Sequence, residues 1–259
     1  RRSLTVFGPS FALAIGDTLA STDPSWQFRA RGGPAAPVSH VFALWRVDRK
    51  RVHSDVAILG ILASSLRGVN AASGATWMFE SPYPYTYPRW RVQGDTLAGE
   101  WPSVRSLATL RATLADPVKL AAWQRELAAH DAWYEPVLFH GGITDRSVMV
   151  RLLRRAWAQR EQREHTARLH DAKGFRPGES LEVLRAMLLD FARRCRADGE
   201  IPVVLLLQDQ GYDDHLERAL GPALRSAGVP YVSSDRIAAA SDARNFMPDG
   251  HFIGPVNQR

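Results

Sequence analysis

Short apolar runs recur along the chain, separated by segments whose apolar residues return at helical spacing. Leu4-Thr5-Val6-Phe7 is compact, apolar and partly β-branched, and predicts a buried strand ended by Gly8. The small residues Ala12 to Ala20 follow as a helix candidate, and Trp26 to Ala30 as a second short strand. Val38, Val41, Phe42 and Trp45 share one face of a predicted helix over Val38 to Trp45. Val56 to Leu62 is almost wholly apolar, the pattern of a parallel strand covered on both faces, and runs into the polar loop Ala63 to Asn70. Leu181, Leu184, Met187, Leu188 and Phe191 line a helix over Glu179 to Asp198, closed by Gly199. Ile201 to Leu207 is the clearest strand. A helix over Asp213 to Ala227, then Gly228, then a strand over Val229 to Val232 complete the alternation. Helix and strand in turn predict an α/β fold on a mostly parallel central sheet.

Residues 74–105 interrupt this pattern. Trp77, Phe79, Tyr83, Tyr85, Tyr87, Trp90 and Trp101 stand among Pro82, Pro84, Pro88 and Pro102, a density of proline that no continuous helix tolerates. One small hairpin is expected around Arg91 to Leu97. The aromatics either line a substrate cleft or form a satellite core beneath a long loop. Residues 106–172 read as helical, with Arg151 to Leu169 presenting a charged, solvated face. The whole is expected to be one domain over 1–259, with a helical and aromatic insertion at about 74–175.

Charge changes the picture little. The net charge is +6, and the arginines are spread along helices. No basic block is interleaved with aromatics as on nucleic-acid surfaces, so no nucleic-acid partner is expected; weak attraction to acidic polymers or anionic membrane remains the sharper reading. The single cysteine, Cys195, excludes an internal disulfide and a cysteine-based zinc cluster. No stretch approaches the ~20 apolar residues of a membrane span, and no signal peptide is visible. The chain opens directly on a strand and stops at Asn257-Gln258-Arg259, inside an expected helix. This is the pattern of an excised domain, so targeting or membrane segments are expected beyond its ends. Cytoplasm and periplasm both stay open, as does the oligomeric state.

The chemistry sits at the two ends. Ser10 lies where the first strand meets the following helix, at a strand's carboxyl end, where open α/β sheets bind ligands, and near free helix N–H groups that stabilise anions. A plain helix cap is the alternative. Near the other end stands Phe246-Met247-Pro248-Asp249-Gly250-His251-Phe252. An Asp and a His two residues apart can share a loop in which the carboxylate orients the imidazole, and a serine delivered by the first strand would complete a nucleophilic triad. His40, on its helix, reads as a satisfied or surface histidine.

Phe7-Gly8-Pro9-Ser10-Phe11 and Asp249-Gly250-His251 together resemble the first and last blocks of the SGNH (GDSL-like) hydrolases. Arg31-Gly32-Gly33-Pro34-Ala35-Ala36 stands in place of that family's glycine loop, and Ala63-Ser64-Ser65-Leu66-Arg67 in place of the block that normally holds an oxyanion Asn. Pro9 replaces the Asp of Gly-Asp-Ser, Ser64 or Ser65 replaces the Asn unless Asn70 supplies it, and the last block is one residue shorter than the commoner Asp-x-x-His. Gly16-Asp17-Thr18-Leu19 and Gly94-Asp95-Thr96-Leu97 look like Gly-Asp-Ser-Leu, but neither follows a buried strand. The resemblance implies a three-layer α/β/α sandwich of flavodoxin-like type. It implies Ser10, His251 and Asp249 as the triad, and Ser10, Gly33, Ser64 and Asn70 as candidates for the oxyanion hole. No metal or organic cofactor is required. The substrate would be an acyl ester, such as an O-acetylated glycan, with membrane contact only through segments outside this chain. Acyl transfer to a polysaccharide, and a non-catalytic carbohydrate-binding module on the same fold, are the alternatives.

Overall fold

A computed structural model describes residues 2–33, 36–78, 85–139 and 142–258. The chain runs β1 (Arg2–Pro9), α1 (Ser10–Thr22), β2 (Trp26–Gly33), α2 (Val38–Asp48) and β3 (Val56–Leu62), then a 3-10 helix over Ala63–Asn70. Next come α3 (Gly74–Trp77), the antiparallel hairpin β4 (Arg89–Gln93) and β5 (Thr96–Glu100), and the helices α4 (Leu107–Ala115), α5 (Pro117–His130), α6 (Pro136–Phe139) and α7 (Val148–Leu169). A two-residue ladder, β6 (His170–Asp171) with β7 (Gly174–Phe175), leads to α8 (Glu179–Ala197), β8 (Ile201–Leu207), α9 (His215–Ser226), β9 (Tyr231–Ser233) and α10 (Gly254–Asn257).

Five strands form one sheet in the order β2-β1-β3-β8-β9, every pairing parallel. Along each strand alternate residues face opposite layers. Phe7, Leu59, Ile61, Val204 and Leu206 pack under α2, α8 and α9 with Phe42, Trp45, Leu184, Met187 and Phe191. Leu4, Val6, Ile58, Leu205 and Leu207 face the other way, against Phe11, Ala12, Phe246, Phe252 and Val256. The result is a three-layer α/β/α sandwich, and the strand order reverses between β1 and β3. Ligands collect outside the carboxyl ends of strands at such a reversal.

Two glycines let α1 settle on the sheet. A Cβ at Gly60 would stand 2.4 Å from the Ala12 Cβ, and one at Gly8 equally close. Gly32 matters for a different approach: a Cβ there would meet the Gly8 carbonyl oxygen at 1.9 Å, so the paired β1 and β2 ends require glycine. That pairing carries β2 on to Gly33, past the Ala30 expected from sequence. Pro34 and Ala35 of the same loop lie outside the described residues.

Other elements also depart from the sequence pattern, β1 running through Gly8 to Pro9 rather than ending at Gly8. The helix over 213–227 starts at His215, because Asp213 takes a left-handed φ of +37° that no helix continues. The strand expected from Val229 begins at Tyr231: the Val229 N–H still closes the preceding helix on Leu224 O, and Pro230 has no N–H to give. The loop after β3 is wound into 3-10 turns. The aromatic segment divides. Trp90 is buried in the main core, edge-on to Phe42, with its Nε1 donating to Ser39 O. Trp77 and Tyr87 join Trp133 in a small second core, while Tyr85 and Trp101 stay exposed. Phe79, Pro82, Tyr83 and Pro84 lie outside the described residues. Cys195 is fully buried, which pushes its thiol pKa up.

Candidate active site

Ser10 is the first residue of α1, directly after Pro9 closes β1. Its main-chain N–H belongs to the unpaired first turn of the helix, and Pro9 makes no side-chain cap there. The tight seating of Ala12 over Gly8 and Gly60 holds this turn against the sheet's carboxyl edge.

The opposite partner comes from a small hairpin. Phe246 and Phe252 bridge antiparallel, Met247 N–H donates to His251 O at 2.7 Å, and Gly250 N–H donates to Met247 O at 2.9 Å. Pro248, Asp249 and Gly250 form its three-residue loop, and Gly250 takes the left-handed conformation (φ +88°) such loops demand. This loop chemistry accounts for the spacing of Asp249 and His251 across a glycine.

The fold brings Ser10 and His251 together across 241 positions: Ser10 Oγ lies 2.7 Å from His251 Nε2. The Phe11 ring stacks on the imidazole at 4.7 Å and 24°, and meets Phe252 edge-on, so the ring plane is fixed by packing. Asp249 Oδ2 lies 3.2 Å from His251 Nδ1, off the direction of a hydrogen bond, while Oδ1 accepts the His251 main-chain N–H at 3.1 Å. That main-chain bond, with the imidazole beside it, holds the Asp249 carboxyl below its usual range. The carboxylate is 63% exposed, unlike the buried acid of the serine-protease triad.

Of the other candidates, the Asn70 amide is engaged elsewhere. Ser64 donates its main-chain N–H to Asp209 Oδ1 at 3.0 Å. Asn70 is buried, and its Nδ2 donates to Ser180 Oγ at 2.9 Å, leaving Oδ1 without a partner among the described residues. At Gly33 the space a side chain would fill is open. Neither decoy joins the site: Thr18 Oγ1 is bonded to Ala14 O within α1, and Thr96 Oγ1 to Gln93 O at the exposed hairpin turn. His40 is half-buried between Tyr85 and Tyr87, and burial lowers its pKa.

Two polar residues at the end of β8 escaped the sequence reading. Gln208 is fully buried, and Asp209 is buried enough that its pKa rises even though it accepts from Ser64. The signal was their position, directly past the carboxyl end of the clearest strand.

A parallel α/β/α sandwich with a hydrogen-bonded serine–histidine pair at its strand reversal is the class that fold and site define. Two solved structures are similar to it. A G-D-S-L family protein from Desulfitobacterium hafniense DCB-2 aligns over 98% of this chain and 85% of its own, at 8% identity and a TM-score of 0.38. A GDSL-like lipase from Bacteroides thetaiotaomicron VPI-5482 aligns over 98% and 82%, at 6% identity and a TM-score of 0.45. No protein-family model and no curated protein sequence matches the chain. No described helix is long and apolar enough to cross a membrane.

Proposed function

We propose that the chain is a serine esterase of the SGNH type, acting on acyl esters such as O-acetyl groups of a glycan. The observation that carries this reading is the 2.7 Å contact of Ser10 Oγ with His251 Nε2 at the first turn of α1. Ser10 Oγ attacks the ester carbonyl carbon as Nε2 accepts its proton. The negative oxygen that forms is met by the N–H groups of Ser10 and Gly33, with the Ser64 side chain as a further donor, the Asn70 amide being committed to Ser180. His251 then passes its proton to the departing alkoxide, leaving an acyl-serine and a free alcohol. Water, deprotonated by the same Nε2, attacks the acyl-serine carbonyl, and the collapse returns the proton to Ser10 and releases the acid. Asp249 steadies the imidazolium through both halves.

A fluorophosphonate probe tests this reading. Wild type should be labelled on Ser10, and Ser10→Ala should lose both label and turnover of an acetyl ester. Failure of the folded wild type to label or turn over would favour the binding-module alternative. Transfer of acetyl to a glycan hydroxyl in preference to water would identify a transferase.

A further inference from the structure

A concave site lies beside the segment that follows β3. A cavity of about 490 Å³ opens between the 3-10 helix after β3 and the long helix α7, and Arg67, Arg163, His170, Gln162 and Thr166 are among the residues lining it. Its charge is one-sided. Among the described residues neither Arg67 nor Arg163 makes an ion pair, although α7 holds acids beside them: Glu164 is taken by Arg160, and Glu161 lies near Glu135. Two acids stand near these groups: Asp209, within reach of the Arg67 charge, already accepts from Ser64, and Asp171, beside His170, is paired with Arg176.

Several of the lining residues are also held in place. Arg67 Nε donates to Ser64 O at 3.2 Å, and its guanidinium lies over the Trp77 ring at 5.7 Å, which orients the planar fork. Gln162 is fixed by its bond to Thr76 O, and Thr166 by its bond to Gln162 O. His170 packs against Tyr212, and its Nε2 is buried with no partner among the described residues. Burial, with His215 and the Arg67 charge nearby, lowers the His170 pKa. A cavity lined by two guanidinium groups that make no ion pair among the described residues suits an oxyanion, since arginine pairs carboxylate, sulfate and phosphate through parallel N–H donors.

We propose that this cavity binds an anionic group of the substrate, so that the preferred ester is one carried on an acidic glycan. The proposal rests on the esterase reading for its word "substrate"; the anion site itself does not. A polymer with repeated charge suits this arrangement, because one of its residues can carry the ester while another supplies the acid. Arg67 links the two regions, because it is bonded to the main chain of Ser64 on the strand-end segment next to β1.

The test uses the intact chain, a galacturonate oligomer, its neutral galactose counterpart and inorganic phosphate. Calorimetry should show the galacturonate oligomer binding more tightly than the neutral one, with affinity falling as salt is raised. Arg163→Gln should weaken that binding about tenfold. It should also lower, by about tenfold, the ratio of kcat/KM on acetylated galacturonate to kcat/KM on the acetylated neutral oligomer. Arg160→Gln removes an equal charge from α7 outside the cavity and should move each by less than twofold. Equal effects of the two variants, or equal binding of charged and neutral oligomers, would overturn the site. Phosphate binding as tightly as the oligomer would overturn the substrate assignment in favour of a free anion. Selective oligomer binding with no ester turnover would uphold the anion site and sink the esterase reading, whereas turnover indifferent to charge would do the reverse.

Discussion

Gly60 lies on β3 beneath α1, and a methyl group there should disable the reacting groups. In Gly60→Ala the new Cβ would stand 2.4 Å from the Ala12 Cβ, whereas carbon atoms rest at about 3.5–4.0 Å. Relief requires more than about 1 Å of separation between α1 and β3. Ser10 is two residues from Ala12 on the same helix, so most of that shift reaches its hydroxyl. A 2.7 Å contact with His251 Nε2 does not survive it. Misplacement by about 1 Å costs on the order of 100-fold in rate, and overpacking about 1–3 kcal/mol in stability. The structure also supplies the rescue. With Ala12→Gly added, the nearest atoms to the new methyl are Phe7 O at 3.7 Å and the Cα of residue 12 at 3.8 Å, both ordinary contacts. The double variant should regain kcat/KM on p-nitrophenyl acetate to within about threefold of wild type, while staying about 1 kcal/mol less stable through the lost helix propensity. Ester turnover and urea unfolding on all four proteins decide the matter. A folded Gly60→Ala with wild-type turnover, or a double variant that stays as slow as the single one, would refute the claim that Ala12 seats Ser10.

Two further outcomes follow from the acids. Asp249→Asn should lower kcat with little change in KM, by far less than the ~10⁴-fold seen when a triad acid is buried, and the deficit should shrink in high salt because this carboxylate is mostly exposed; stopped-flow turnover in low and high NaCl checks it. Asp131 is the opposite case: it accepts from Ala72 N–H, Ser73 N–H, Thr76 Oγ1 and Trp133 N–H, but burial outweighs these donors and pushes its pKa up to about 6 from 3.8. The folded form therefore holds the proton more tightly than the unfolded chain. Its contribution to stability is fully present below pH 3.8 and is lost as pH rises through 6, by up to about 3 kcal/mol. Urea titrations from pH 3.5 to 7.5 should show this loss in wild type and not in Asp131→Asn; parallel curves would show that the four donors, not burial, set its charge.

These cases mark what local sequence can and cannot encode. The sheet was legible because parallel strands buried on both faces must be apolar along their length, as Val56 to Leu62 and Ile201 to Leu207 are. The Asp249–His251 loop was legible because only glycine suits the left-handed position between them. Asn70 shows the limit. As a residue type it suits an oxyanion donor, yet its amide is bonded to Ser180, 110 positions away, and nothing within its own segment announces that partner. Trp90 and Trp101 show it again. Trp90 lies within β4 and Trp101 directly after β5, in similar company, but Trp90 enters the core under α2 and Trp101 stays exposed, a choice made by how the hairpin lies on the helix layer. Asp131 and Asp209 fall to the same cause, since burial of a carboxylate is a property of the assembled fold. Ser10 lies between the two kinds. Its place at a strand end is local and could be read, and His251 was expected as its partner from the Asp-x-His loop; the close fit of Ala12 over two glycines on neighbouring strands, which seats Ser10, was not, each glycine being unremarkable until the helix is laid across them.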